Sequence, residues 1–164
     1  MYYTEDTAMK LYIIRHGETD WNKQRRLQGQ SDTELNEYGI RLAQITGEAL
    51  KDIRFDHIFS SPLKRAYRTA EIIRGGRTVP IVTDDRLKEI GFGINEGVSS
   101  ELITADFHYF FDAPEKYKPA EGGETYEQLC ARSRDFIDNV IVPLSVKEPD
   151  AVALVTAHGA LNKS

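Results

Sequence analysis

A short apolar run that ends abruptly in polar residues constrains the fold of this chain most. Residues 11–14 (Leu-Tyr-Ile-Ile) contain no turn signal and are followed at once by Arg15, His16 and Gly17. An apolar run bounded in this way predicts a buried β-strand. Ligands of open α/β sheets bind beyond the carboxyl ends of the strands. This strand would therefore bring a cation, an imidazole and a glycine backbone to a binding edge.

Two of the four histidines end predicted strands, and each of the two is followed by a glycine. His16 follows the strand at 11–14, and His158 follows a second apolar segment near the end of the chain. If both strands lie centrally in one parallel sheet, their carboxyl ends bring the two imidazoles into one pocket. The other histidines, His57 and His108, are interpreted as structural or exposed.

Two arginines are expected in the same pocket. Arg15 precedes His16 directly, and Arg65 lies near the start of a predicted helix. Two imidazoles and two guanidinium groups would repel one another in water, but they become compatible around a doubly charged phosphate. The cluster therefore favours a small anionic phosphoester as the ligand.

Predicted strands and helices alternate along the chain, which favours an α/β fold. The fold class is a three-layer sandwich with a mostly parallel central sheet flanked by helices. Its predicted strands lie at 11–14, 57–60, 79–83 and 151–156, and its predicted helices at 36–53, 62–73, 99–106 and after residue 125. The length of 164 residues predicts one domain over 1–164.

Local signals define several helix ends and one buried face. Ser61 is predicted to cap a helix whose first residue is proline, and Gly75 is predicted to end that helix. Thr125 and Gln128 have the spacing of a capping box. The apolar spacing of the helix at 36–53 places on its buried face Leu42, Ile45, Ala49 and Ile53.

Five separated motifs occur in one characteristic order. They are RHGETDWN at 15–22, RLQGQ at 26–30, SSPLKRA at 60–66, LKEIGFGINEG at 87–97 and TAHG at 156–159. Together they resemble the histidine phosphatase superfamily, also called the phosphoglycerate mutase-like family, from about residue 9 to the end. Any one motif alone would be a weak signal, whereas five in order are a strong one.

The resemblance implies a role for each residue at the predicted edge. His16 would be the nucleophile and become a phosphohistidine, and Glu89 would protonate the leaving oxygen and then deprotonate the attacking water. The phosphoryl oxygens would be held by Arg15, Arg65 and His158. Further substrate- or phosphate-binding residues would be Asn22, Gln28, Gly29 and Gly159. No metal or other cofactor is expected, because the cationic side chains supply the charge that magnesium often provides.

The acid and the walls of the pocket leave alternatives open. Asp84, Asp85 and Glu96 are alternative carboxylates to Glu89. Residues 123–125 (Gly-Glu-Thr) resemble a loop that lines the pocket in the family. An apolar lid over the substrate is predicted from the aromatic residues Phe107, His108, Tyr109, Phe110, Phe111 and Tyr117, the alternative being that half of them belong to the core.

The branch of the family is predicted from residues 98–121. In the family that the chain resembles, mutases have a longer insertion in this region, with arginines that bind the substrate carboxylate. Here the segment is short and contains Lys116 and Lys118 but no arginine. A phosphatase that acts on small phosphorylated metabolites is therefore favoured. The alternatives are a phosphoglycerate-type mutase and a catalytically weak phosphate-binding module.

Composition argues against several other classes of protein. The net charge of −5 makes nucleic acid an unexpected partner. The single cysteine, Cys130, excludes a disulfide framework and a multi-cysteine metal site, and it is predicted to be a small buried side chain. No apolar run approaches the length of a membrane span, and residues 1–10 lack the apolar core of a signal peptide. A cytoplasmic protein without membrane partners is expected.

The end of the sequence departs from the pattern of the family. The chain ends at Ser164, only six residues after His158, where family members normally continue with a helix. The resemblance thus implies that the C-terminal part of the domain is missing. Apolar surface exposed in this way would favour a homodimer.

Overall fold

Four parallel strands form the central sheet of the structure, a computed structural model that describes residues 8–103 and 105–164. The strands are β1 (Lys10–Arg15), β2 (His57–Ser60), β3 (Ile81–Thr83) and β4 (Val152–Ala157). They lie in the order β1-β4-β2-β3, and every neighbouring pair is parallel. The predicted α/β class is confirmed. Residues 1–7 lie outside the described residues. They make up most of the segment 1–10, which the sequence analysis predicts not to be a signal peptide.

Helices of very different length connect the strands. They are α1 (Asp20–Lys23), α2 (Glu37–Ala49), α3 (Lys64–Arg74), α4 (Tyr109–Asp112), α5 (Tyr126–Phe136) and α6 (Val142–Lys147). A π-helical turn, Ile137–Ile141, joins α5 to α6. The helix expected at 99–106 is instead described as two 3₁₀ turns, Ser100–Leu102 and Ala105–His108, and residue 104 lies outside the described residues.

Apolar side chains form a core on each face of the sheet, because successive residues of a strand point to opposite faces. On one face, Ile58 of β2 packs with Ala70 and Ile73 of α3. The cluster on the other face joins the sheet to α5 and includes Phe59, Val155, Leu129 and Phe136. Helices thus cover both faces, which confirms the three-layer sandwich.

β1 differs from the buried strand that the apolar run predicts, and it does not have the central position on which the pairing of the two histidines was conditional. In the described part of the chain, β1 pairs with β4 alone and forms an edge of the sheet. Ile13 is accordingly 53% exposed. β4 is the central strand, and its residues Ala153, Leu154 and Val155 are buried. Strand order depends on pairing between distant segments, which a local apolar run does not encode.

The predicted buried face of α2 is wrong, although the helix itself is confirmed. Of the predicted residues, Leu42, Ile45 and Ala49 are exposed and Ile53 lies beyond the end of the helix. The buried residues are instead Gly39 and Ala43, and a Cβ atom on Gly47 would lie 3.3 Å from the backbone of α3. Small side chains let the two helix backbones approach closely, and this contact determines the face that is buried.

The ends of α3 agree only in part with the prediction. The helix starts at Lys64, and its N-cap is Leu63, which forms no side-chain cap. Ser61 is therefore not the N-cap. It lies two residues earlier, where its hydroxyl accepts a hydrogen bond from the backbone N–H of Leu63 at 3.3 Å and lies 2.8 Å from Nε2 of His158. At the other end, Gly75 has a φ of 55° and terminates the helix as predicted.

The start of α5 is confirmed in detail. Thr125 and Gln128 form the predicted capping box, and Leu129 is fully buried. Cys130, predicted to be buried, is only partly so. A helix turns by about 100° per residue, so the residue after a buried leucine points away from the sheet.

Two features of the surface concern expected partners. Within residues 8–103 and 105–164, no helix has both the length and the apolar character needed to cross a bilayer. An apolar groove next to the β1 edge is lined in part by Leu11, Ile13, Ile137 and Leu161. Self-association remains a prediction.

Candidate active site

A cavity of about 280 Å³ opens at the carboxyl edge of the sheet, next to the ends of β1 and β4. The backbone N–H of His16 donates to the carbonyl of Ala157, which continues the β1–β4 pairing by one residue. The rings of His16 and His158 lie 5.1 Å apart between their centroids. The structure therefore brings together the two strand-end histidines, as the sequence predicts.

Among the described residues, His16 has a hydrogen-bond partner at only one ring nitrogen. Its Nδ1 lies 2.6 Å from the carbonyl oxygen of Gly17. A carbonyl only accepts hydrogen bonds, so Nδ1 carries the proton and Nε2 carries the lone pair. Burial, and then the positive charge of Arg65, lower the pKa of His16 from 6.5 to about 3. The imidazole is thus neutral at pH 7 and can act as a nucleophile.

His158 is completely buried behind His16 and is not part of the cavity surface. Its Nε2 is hydrogen-bonded to the hydroxyl of Ser61, and its Nδ1 has no partner among the described residues. Burial, and then the charge of Arg65, lower the pKa of His158 well below 6.5. A neutral imidazole with an unpartnered nitrogen therefore lies next to the nucleophile.

Arg65 is a fully buried cation that lies at the cavity. Its Nη1 donates to the carbonyl of Ser31 and its Nη2 to the carbonyl of Gly29, both at 2.7 Å. Its Nε is buried without a partner in the described part of the chain. Burial lowers the pKa of Arg65 from 12.5 to about 10, so the group stays charged at neutral pH. An anion in the cavity would satisfy both the charge and the free donor.

The loop that accepts the hydrogen bonds of Arg65 also contains predicted binding residues. Gly29 has a φ of 52°, which favours glycine, and it lines the cavity next to Gln28. The Oε1 atom of Gln28 accepts hydrogen bonds from the hydroxyls of Thr19 and Thr33. Arg65 thus holds the loop in place through Gly29.

Asn22 reaches the cavity from the short helix α1. Its Oδ1 accepts a hydrogen bond from the backbone N–H of Thr19, which forms the capping box of that helix. Since the oxygen is engaged in this way, the amide nitrogen of Asn22 is available to donate to a ligand.

Arg15 and Gly159 lie side by side on the cavity wall. A Cβ atom on Gly159 would lie 3.3 Å from Cζ of Arg15. The absence of a side chain at Gly159 therefore leaves room for the guanidinium group. In contrast to Arg65, Arg15 is exposed.

Glu89 is the carboxylate that lines the cavity. Its side chain accepts hydrogen bonds from the backbone N–H groups of Ala160, Leu161 and Ile90 at 3.1 to 3.2 Å. The three alternative carboxylates are placed elsewhere: Asp84 pairs with Arg86, Asp85 with Lys88, and Glu96 with the backbone N–H groups of Gln30 and Phe92. None of these three lines the cavity.

The outer wall includes residues that the sequence analysis did not single out. Tyr126, Phe92 and Lys163 line the cavity, together with Phe110 and Phe111 of the predicted lid. Tyr126 directly follows residues 123–125 and Phe92 lies within the motif at 87–97, so both positions carried a sequence signal, whereas Lys163 carried none. Of the other predicted lid residues, Phe107 and Tyr117 belong to the core, and His108 and Tyr109 do not line the cavity.

Residues 123–125 do not line the cavity as expected. Glu124 instead forms an ion pair with Arg132 of α5 at 2.7 Å. An ionised carboxylate that is largely buried needs such a partner, and the pairing turns Glu124 away from the cavity.

The arrangement contains the groups that phosphoryl transfer requires. A neutral imidazole faces two guanidinium groups, and a carboxylate lies on the same cavity. Over residues 8–103 and 105–164, no three His, Cys, Asp or Glu side chains lie close enough together to hold a metal ion.

The lowered pKa of His16 makes stability depend on pH. Between about pH 6.5 and pH 3 the unfolded chain binds a proton at this imidazole and the folded chain does not. The free energy of unfolding therefore falls as pH falls through this window, by up to about 1.4 kcal/mol per pH unit for one group. We expect His16→Gln to reduce this slope in urea unfolding measured from pH 6 to pH 4. An unchanged slope would contradict the burial of a neutral His16.

Comparison with known proteins agrees with this geometry. The profile of the histidine phosphatase superfamily (branch 1) matches residues 11–164. "Uncharacterized phosphatase PhoE" of Bacillus subtilis (strain 168) is 40% identical over 148 residues, which cover 90% of this chain and 70% of PhoE. "Probable phosphoglycerate mutase GpmB" of Yersinia pestis (strain Pestoides F) is 41% identical over 156 residues, which cover 92% of this chain and 70% of GpmB.

Solved structures show the same relationship. Bacillus stearothermophilus YhfR superimposes with a TM-score of 0.85 and 35% sequence identity, over 95% of this chain and 77% of that one. The sequence motifs, the fold and the relatives all indicate one family. The chain belongs to branch 1 of the histidine phosphatase superfamily, and it is an enzyme of the histidine phosphatase type.

Proposed function

We propose that this protein is a metal-independent phosphomonoesterase that hydrolyses small phosphorylated metabolites through a phosphohistidine at His16. The observation that supports this most strongly is the state of His16. Its Nδ1 is fixed by Gly17, its pKa is about 3, and its Nε2 is left free at a cavity that also contains Arg65. A neutral, oriented imidazole beside a buried cation suits attack on a phosphoryl group.

In the first half-reaction, Nε2 of His16 forms a bond to phosphorus and the ester P–O bond breaks. The leaving oxygen takes a proton from Glu89. The guanidinium groups of Arg15 and Arg65 stabilise the phosphoryl oxygens, with Nε of Arg65 as a free donor.

In the second half-reaction, water attacks the phosphohistidine and the P–N bond breaks. Glu89, ionised after the first step, accepts the proton of the attacking water. His16 is regenerated as the neutral imidazole, and inorganic phosphate leaves. Nucleophile, acid and base are thus restored for the next turnover.

The wall of the cavity favours leaving groups that have some apolar surface. Phe92, Phe110 and Phe111 lie on this wall, and Phe111 is 67% exposed at the mouth. Apolar and aromatic side chains of this kind commonly line small-molecule sites. Arg26 and Lys163 add positive charge to the same rim, which suits an anionic metabolite.

Hydrolysis of p-nitrophenyl phosphate near pH 6 in the presence of EDTA tests the function. We expect turnover that EDTA does not reduce, because side chains rather than a metal ion provide the positive charge. Turnover that EDTA abolishes and magnesium restores would contradict metal independence. No turnover at all would contradict the phosphatase.

A phosphoglycerate-type mutase remains the second candidate because GpmB matches the chain at 41% identity. A mutase needs priming by a bisphosphate and shows little net hydrolysis. Isomerisation of a primed phosphoglycerate that exceeds its hydrolysis would favour the mutase. Tight phosphate binding without either activity would favour the phosphate-binding module.

A further inference from the structure

Glu89 lies in residues 88–91, which follow the 3₁₀ turn Asp85–Leu87 and form no helix or strand, so other groups must fix its position. Arg132 of α5 provides many of these contacts. Its Nη1 donates to the carbonyls of Arg86 at 2.7 Å and Lys88 at 2.5 Å, and its Nη2 donates to the carbonyl of Glu89 at 3.0 Å. One guanidinium group therefore binds three backbone carbonyls, and the last of them belongs to Glu89, the proposed acid.

Arg132 is itself oriented by Glu124. The two side chains form a bidentate pair, with Nε to Oε1 at 2.7 Å and Nη2 to Oε2 at 2.8 Å. They are 18% and 16% exposed, so solvent competes little with the pair. Planar, bidentate pairing of this kind fixes direction as well as distance.

Glu124 also binds the chain just after Glu89. The backbone N–H of Gly91 donates to Oε2 of Glu124 at 3.2 Å, and the backbone N–H of Glu124 donates to the carbonyl of Gly91 at 2.8 Å. The Arg132–Glu124 pair thus holds the chain before and after the acid. Neither side chain lines the cavity, so neither touches the substrate.

We propose that Arg132 is a positioning residue for Glu89, and that Glu124 orients Arg132 for this role. The inference rests on the proposed function, in which Glu89 protonates the leaving oxygen. Arg132 acts on the first half-reaction through the backbone of Glu89, and binding of the phosphoryl group by Arg15 and Arg65 does not depend on it.

A comparison of leaving groups separates this role from a merely structural one. Benzyl alkoxide leaves only with a proton from the acid, whereas p-nitrophenolate leaves without one. The value of kcat/KM reports phosphoryl transfer to His16 for both esters. We expect Arg132→Gln to lower kcat/KM for benzyl phosphate by about 100-fold, as loss of general acid catalysis does, and for p-nitrophenyl phosphate by only a few-fold.

Three further variants complete the test. The ratio to compare is kcat/KM for p-nitrophenyl phosphate divided by kcat/KM for benzyl phosphate. Glu89→Gln should raise this ratio as Arg132→Gln does. Arg132→Lys keeps the ion pair with Glu124 but cannot reach all the carbonyls, so an intermediate ratio is expected, and this variant also serves if Arg132→Gln does not fold. Arg134→Gln on the exposed side of α5 is the matched control and should leave the ratio unchanged.

Two results would overturn the inference in different ways. If Glu89→Gln changes the ratio and the Arg132 variants lower both rates equally, Arg132 is structural only and the proposed acid stands. If Glu89→Gln leaves the ratio unchanged, the acid role fails and the positioning role fails with it. In that case EDTA-resistant turnover by the wild-type chain would still support a phosphatase.

Discussion

Replacement of His16 by alanine is expected to lower kcat for p-nitrophenyl phosphate by at least about 1,000-fold, because no other group can accept the phosphoryl group in its place. His158 is buried behind it, and its ring is not on the cavity surface. KM should change much less, since Arg15 and Arg65 still bind the phosphoryl oxygens. The steady-state kinetics of both proteins provide the measurement.

His57→Ala is the matched control for this variant. His57 is at the start of β2, where it pairs with Glu148 at 2.8 Å, and it does not line the cavity. Its loss should leave kcat within about twofold, as is usual for a substitution remote from the site. A His16→Ala protein that retains a tenth of the wild-type activity would contradict nucleophilic catalysis by His16.

Arg65→Lys is expected to lower kcat/KM by about 100-fold or more. The guanidinium group uses Nη1 and Nη2 on the carbonyls of Ser31 and Gly29 and keeps Nε for the phosphoryl group. An ammonium group cannot bridge these positions at once, so both the loop and the transition state lose a partner. The free energy of unfolding should also fall, because the carbonyls of Ser31 and Gly29 lose hydrogen bonds while the positive charge stays buried.

Lys64, the residue before Arg65 in the chain, provides the control for the Arg65→Lys prediction. Lys64 is exposed and pairs only weakly with Glu34 at 3.5 Å, so Lys64→Gln should preserve kcat/KM. Inorganic phosphate should raise the unfolding temperature of the wild type and of Lys64→Gln, and much less that of Arg65→Lys. Equal stabilisation of all three proteins would show that Arg65 does not bind the phosphate.

His16 and His158 are neutral chiefly because they are buried, and next because both lie near the charge of Arg65. Arg65 is a cause of the lowered pKa of both imidazoles, after burial itself. The site therefore avoids the mutual repulsion of four cations that the sequence alone suggests. In the proposed mechanism the two guanidinium groups supply the charge that binds a phosphate dianion, and the neutral state of His16 keeps the nucleophile unprotonated.

The sequence predicts best the features that depend on local signals. His16 and His158 end strands and precede glycines, and this placed both at one edge of a parallel sheet. Gly75 and the Thr125–Gln128 capping box mark helix ends correctly, because glycine conformation and capping depend on a few neighbouring residues.

Features that depend on contacts between distant segments were not predictable. β1 lies at an edge because of the strand order. α2 buries Gly39 against the backbone of Glu18, and its Gly47 lies against the backbone of α3. Ser61 lies two residues before the N-cap of α3, and its hydroxyl is hydrogen-bonded to the distant His158. In the site, Glu124 pairs with a side chain eight residues away, and the position of Lys163 on the cavity wall had no sequence signal.

The most direct test of the account is identification of the phosphorylated intermediate. The enzyme is mixed with p-nitrophenyl phosphate in EDTA, quenched in alkali, digested and analysed by mass spectrometry. The account predicts an acid-labile phosphoryl group on His16 that is absent from His16→Ala and accumulates in Glu89→Gln, where water is activated slowly. Rapid hydrolysis with no phosphoryl group on His16, or with one on another residue, would contradict it.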